Sequence, residues 1–311
     1  MAIPTIPSVA ASPREATIRT AFPADLRLIL GPLWRGDATM RRDPSGAWWR
    51  ATWTPDGPAT ARFQPMPGDG GVRVHAWGPG AEWTLDAAPG LIGVEDSLDG
   101  FSPGGGLVRD LHRRFPGLRL GRSRAVFEAL VPQMIEQKVT GLEARRAYRG
   151  LVQRYGEPAP GQAGLRLPPN RLCLAALASH DWHPLGVEMR RAGVIRMAAQ
   201  RADRLDGWAN LPGAEAQRRL RLLPGVGAWT AAEVSMVALG DPDAVSVGDY
   251  HLPHDVAWAL AGEVRGSDEG MLELLEPYAG HRGRVLRLLG AAGIHAPRFG
   301  PRMTARSIRA Q

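Results

Sequence analysis

Cysteine occurs once in the 311 residues, at Cys173, and lysine once, at Lys138. A single cysteine excludes a disulfide within the chain and an iron–sulfur cluster held by its own cysteines alone. A single lysine leaves one side-chain amine for any covalent amine chemistry. No apolar run approaches the roughly 20 residues that cross a bilayer, so no membrane partner is expected. Aromatic residues make up 6%, and ten of them are tryptophan. Basic side chains are plentiful: Lys+Arg number 38 against 31 Asp+Glu, for a formal charge of +7 and a pI near 10.5. Arginine supplies nearly all of that charge. It favours polyanionic partners and clamps phosphate well, although a GC-biased codon pool accounts for the bias equally. Residues 1–14 are Pro/Ala/Ser-rich with no charged start before an apolar core. They read as a flexible tail without a signal peptide, and a cytoplasmic protein is expected.

From residue 15 to about 104 the texture is β. Thr17–Thr20 and Ala47–Trp53 alternate, Ala59–Phe63 and Val72–Trp77 are further strands, and Pro/Gly turns separate them. Leu26–Leu30 reads as a short helical insert. Several tryptophans fall here, and cross-strand packing accounts for them. The Pro/Gly/acid-rich stretch Asp86–Gly106 marks a boundary, and beyond it the pattern is helical. Helices are expected over Leu107–Phe115, from Ser123 to about Gly141, and over Leu142–Tyr155, Arg171–Ser179, Met189–Leu205 and Ala228–Leu239.

The most informative stretch is Leu223-Pro224-Gly225-Val226-Gly227, with helix-type sequence on both sides. Two glycines permit a tight reversal that leaves backbone N–H groups bare at the start of the second helix. Those amides and the helix dipole suit a phosphate oxygen and hold a nucleic-acid backbone without reading bases. An ordinary helix–helix turn is the competing account.

The longer motif, Leu223 to Ala231 followed by Asp249 in Val247-Gly248-Asp249-Tyr250, resembles the helix-hairpin-helix (HhH-GPD) DNA glycosylases. It is most similar to their AlkA branch, the 3-methyladenine DNA glycosylases II. The resemblance implies an α+β chain. An antiparallel β-rich domain (15–104) precedes an all-α core of two helical subdomains, one from 105–125 and 243–311, the other from 126–242 with the hairpin. It implies a monomer on double-stranded DNA containing damaged bases, at the nucleoid. Asp249 takes the catalytic role, stabilising the positive charge that builds on the sugar as the glycosidic bond breaks. Trp229 and Tyr250 match aromatic positions of the base pocket, since electron-poor alkylated purines stack on such rings. Gly225, Val226, Gly227, Ala228 and Thr230 carry the DNA strand. Gln137 in Phe127–Thr140 matches the family glutamine, and Lys138 then stands where a side chain fills the gap left by the flipped nucleotide. The carbonyls of Leu222, Leu223 and Val226 would hold a monovalent cation, K+ or Na+; no other cofactor is implied.

Several positions depart from the family pattern. Lys138 cannot stack as an apolar wedge does. Glu233 stands four residues after Trp229, where the branch has an aromatic; it is placed in the pocket, where it favours a cationic base or faces water. Members that also cut the strand carry a lysine at the position of Trp229, so a glycosylase without lyase activity is expected. Asp241, Asp243 and Asp255 read as turn or helix-support residues. His251 and His254 share a helical spacing, but Pro253 and the lack of further ligands argue against a metal pair. Arg190 and Arg191 face the DNA backbone by position. Arg282, Arg284 and Arg287 read as a solvated basic face. Another lesion such as hypoxanthine, or a non-catalytic lesion-binding module, remains an alternative to alkylpurine release.

Overall fold

The computed structural model describes residues 12–66, 68 and 70–297. The expected tail lies outside the described residues up to position 11, and Arg14, its last residue, already opens the first strand.

Five antiparallel strands form one sheet: β1 (Arg14–Arg19), β2 (Met40–Arg42), β3 (Trp48–Thr54), β4 (Gly57–Met66) and β5 (Gly71–Trp77), in the order β1-β5-β4-β3-β2. Trp48 pairs with Phe63, and Phe63 with Val74. Because strand side chains alternate, this row faces one side of the sheet with Ile18 and Val72. There it is buried under the helices Leu26–Leu30 and Ala81–Leu91. The opposite row, Trp49, Ala51 and Trp53, packs against Ala163, Leu165 and Leu167. Trp49 also stacks on Trp77, with ring centroids 5.3 Å apart. The strand tryptophans are therefore packing residues.

The Ala81–Leu91 helix runs into the stretch read from sequence as a boundary. Pro89 lies in its last turn and breaks one intrahelical hydrogen bond. Ala87, Ala88 and Leu91 are buried against the sheet, and that burial outweighs the local penalty.

The helical region has two cores. One gathers the helices Val126–Glu136, Gly141–Tyr155, Met189–Ala199 and Ala228–Ala238 around Leu130, Met134, Trp182, Ile195 and Val234. The other joins Gly106–Arg114, Leu252–Ala261, Asp268–Leu275 and Arg282–Ala292 around Val108, Val256, Met271 and Val285. The sheet is tied to the first core by Glu128, which accepts from Arg50 at 2.7 Å and Thr52 Oγ1 at 2.6 Å. A fully buried pair, Arg284 with Asp96 at 2.6 Å, fixes the last helix to the inter-domain segment.

That pair corrects the reading of the 282–287 arginines as a solvated face. Arg282 pairs with Asp243, Arg284 with Asp96, and Arg287 donates to the Leu28 carbonyl at 2.9 Å. Their partners lie far away in sequence, where periodicity cannot show them. Among the described residues no helix is long and apolar enough to cross a membrane.

Candidate active site

The hairpin links the Gly213–Leu220 helix to the Ala228–Ala238 helix. Gly225 sits at φ +83°, and a Cβ there would lie 2.9 Å from a Val194 methyl. Backbone and space both demand glycine. Gly227 differs: its φ is −91°, and nothing lies within 4 Å of the position a Cβ would take. Its surroundings are open rather than strained. Val226 is buried and anchors the turn from below, while Leu222, Pro224, Gly225 and Gly227 are exposed. No side chain caps the helix that follows. The first N–H groups of a helix lack intrahelical partners, so Ala228, Trp229 and Thr230 begin an uncapped positive helix end at the surface.

A second segment braces the turn. The Gln137 amide donates to the Gly225 carbonyl at 2.9 Å and to Thr230 Oγ1 at 2.9 Å. The side chains of Gln137 and Thr230, both expected at the DNA, are thus spent inside the protein, joining the loop after the Val126–Glu136 helix to the hairpin. Arg191 supports the same loop from beneath, donating to the Ile135 carbonyl at 2.7 Å and the Gln137 carbonyl at 3.2 Å. It is buried, which removes it as a phosphate contact; Arg190 is exposed. Lys138 stands exposed at the tip of this loop at φ 56°, a left-handed conformation rare for a side chain with a Cβ. Thr140 then starts the next helix with a capping box to Glu143.

Asp249 meets the hairpin helix directly. Its Oδ2 accepts from Trp229 Nε1 at 3.0 Å. Its Oδ1 accepts from the backbone N–H groups of His251 at 2.8 Å and Leu252 at 2.9 Å, so it also caps the Leu252–Ala261 helix. Three donors fix the carboxylate one turn from the exposed amides of the hairpin. The neighbouring acids are occupied elsewhere. Asp241 is buried on Ser235 and Gln217, Asp243 pairs with Arg282, and Asp255 holds His295 and the Ala296 N–H.

Glu233 lies on the same helix as Trp229, one turn on, and accepts from the Ser246 hydroxyl. Ser246 in turn accepts the Asp249 N–H on its carbonyl, at 3.2 Å. One helical face therefore grips the acid's loop at two points. Glu233 keeps partial solvent access although densely surrounded, as on the inner wall of a cleft. Burial pushes its carboxyl above the usual range, against the Ser246 hydrogen bond and Arg35; Glu136 and Asp249 push it further up. Arg287 is held down to about 10 by burial, opposed by Glu233. Arg35 forms an ion pair with Glu136 at 3.2 Å. Sequence reading missed Arg35 and Arg287 because each comes from a distant segment and carries no local motif.

Tyr250 does not wall this cleft. It is 82% exposed, its ring set edge-on to His251 at 4.9 Å between centroids. His254 Nδ1 accepts the Gly266 N–H at 3.1 Å. No group of three metal-ligating side chains occurs among the described residues.

No family model matches the chain. A Mycobacterium tuberculosis protein named "probable bifunctional transcriptional activator/DNA repair enzyme AlkA" is 34% identical over 149 residues, 47% of this chain and 29% of that protein. The chain thus spans less than a third of the curated relative it matches. Among solved structures, the 3-methyladenine DNA glycosylase of Archaeoglobus fulgidus aligns over 88% of this chain and 97% of its own, with a TM-score of 0.75 at 20% identity. The 8-oxoguanine glycosylase/lyase of Clostridium acetobutylicum aligns over 90% and 98%, with a TM-score of 0.67 at 14% identity. By architecture, from the five-stranded sheet through the hairpin helices, the chain has the fold of the helix-hairpin-helix DNA glycosylases.

Proposed function

We propose that the protein is a DNA glycosylase that extrudes a damaged base from duplex DNA and hydrolyses its N-glycosidic bond. Alkylated purines of the 3-methyladenine type are its substrates, as the names of the Archaeoglobus and Mycobacterium proteins suggest. One observation carries the reading. The carboxylate of Asp249 is bonded to the first turn of a helix whose free amides are shaped for a phosphate. A strand held by those amides brings a deoxyribose to the acid.

The chemistry follows from that placement. Lengthening the glycosidic bond makes the sugar cationic, and a fixed anion at its face stabilises the developing charge. The same carboxylate orients the water that completes hydrolysis. A cationic alkylated base needs no protein acid to leave. Trp229 occupies the position where strand-cutting relatives carry a lysine, so the reaction stops at the abasic site. Lys138, raised on its left-handed turn, enters the gap left by the extruded nucleotide. A monovalent cation on the carbonyls of Leu222, Leu223 and Val226 is part of the proposal. Neutral oxygens fit such an ion, and Leu223 retains a lone pair beyond its bond to the Val226 N–H. Bound there, it would add positive charge beside the phosphate. We take the working form to be a monomer acting at the nucleoid.

Asp249→Asn tests the assignment. Asparagine still caps the Leu252–Ala261 helix, so the fold survives. Release of 3-methyladenine from methylated duplex, read by mass spectrometry, should fall by about a hundredfold or more. Binding to an abasic-site duplex should persist. Release at the parent rate would remove Asp249 from the mechanism.

A further inference from the structure

The hairpin and Asp249 explain where a sugar would sit, but not what meets the base. Glu233 is the polar group best placed for that. Its Oε1 is held by the Ser246 hydroxyl, and Ser246 is buried. Its Oε2 has no hydrogen-bond partner among the described residues, although the side chain is reachable by solvent. It sits one helical turn from Trp229, the residue bonded to Asp249. The charged groups around it come from four separate elements: Arg35 from the segment before β2, Glu136 from the end of the Val126–Glu136 helix, Asp249 from its loop and Arg287 from the last helix. Three carboxylates against two guanidinium groups leave this wall anionic when all are charged.

We infer that Glu233 reads the extruded base through Oε2, as an anion toward a cationic alkylpurine and as an O–H donor toward the carbonyl of a neutral deaminated purine. This rests on the glycosylase reading above and adds to it a second substrate class for the same pocket. The argument is one of inventory. With Oε1 occupied by a donor, a proton taken up by Glu233 resides on Oε2 and points into the cleft. Without that proton, Oε2 is a bare acceptor carrying negative charge. An aromatic side chain in this position offers neither. Burial moves the exchange between the two states upward, toward the range in which the enzyme can be assayed.

The consequence is a lesion preference that changes with pH. Taking a ratio of two substrates cancels the titration of Asp249, which acts on the sugar of both. Duplexes containing 3-methyladenine and duplexes containing hypoxanthine are assayed in single turnover with the full chain, from pH about 5 to pH about 8. For the parent, the ratio of 3-methyladenine to hypoxanthine release should rise with pH. In Glu233→Gln, which cannot change charge, the ratio should be flat and shifted toward hypoxanthine, by about tenfold at the upper end. A parent that frees both bases in constant ratio overturns the assignment of Glu233 and leaves the glycosylase reading intact, as does a Gln variant that keeps the parent's slope. A parent that frees neither base overturns both. The parent's own pH profile decides the matter even if the variant folds poorly.

Discussion

Trp229 Nε1 stands 3.0 Å from Asp249 Oδ2, so the helix that presents free amides to solvent also holds the acid. Grip and chemistry are joined through one indole N–H. Trp229→Phe keeps a ring in place and removes that donor. The two backbone donors on Oδ1 remain, so the acid's loop should stay folded. A hydrogen bond to a charged group is worth enough for base release to slow by about tenfold. Affinity for an abasic duplex, measured by fluorescence anisotropy, should change little. An unaltered single-turnover rate would mean that the backbone amides alone aim the carboxylate.

The two hairpin glycines separate conformation from access. At Gly225 an added methyl meets strained backbone at φ +83° and Val194 at 2.9 Å, so Gly225→Ala should lower the melting temperature. At Gly227 the backbone is ordinary and the space open. Gly227→Leu should melt close to the parent temperature and yet bind duplexes more weakly. Because only phosphate contacts are obstructed, the loss should be alike for unrelated sequences. A sequence-selective loss in the anisotropy series would count against a phosphate-holding hairpin.

What could be read from the chain beforehand follows from locality. Strand alternation, the Leu26–Leu30 insert and the glycine turn are encoded within a few residues, and the structure places each where the pattern put it. The Ala81–Leu91 helix was hidden because Pro89-Gly90 reads as punctuation until the sheet beneath it is known. Gln137 was recognisable as a special position, but its work was not. Its amide reaches the Gly225 carbonyl, 88 residues away, and nothing local announces that. The same holds for Arg284 and Asp96, whose mutual burial turns an apparent surface charge into an internal strut. Tyr250 failed in the opposite sense. Its position beside Asp249 suggested the pocket, while the turn that starts the Leu252–Ala261 helix carries its ring outward onto His251.

Lys138 combines an unusual backbone with the position expected to fill the flipped-out gap. A left-handed residue with a Cβ costs roughly 1–2 kcal/mol, and glycine would relieve that while adding roughly 0.5–1 kcal/mol of unfolded-state entropy. Lys138→Gly should therefore be about as stable as the parent, or slightly more so, in urea unfolding. Its effect should fall on extrusion, since glycine has no stem to enter the stack. Extrusion is easiest when the damaged base is already unpaired. The variant should therefore lose most activity on a lesion in a well-matched pair and least on the same lesion opposite an abasic gap. Equal losses on the two duplexes would show that Lys138 contributes only to binding. No loss on either would make its left-handed turn a feature of the loop alone.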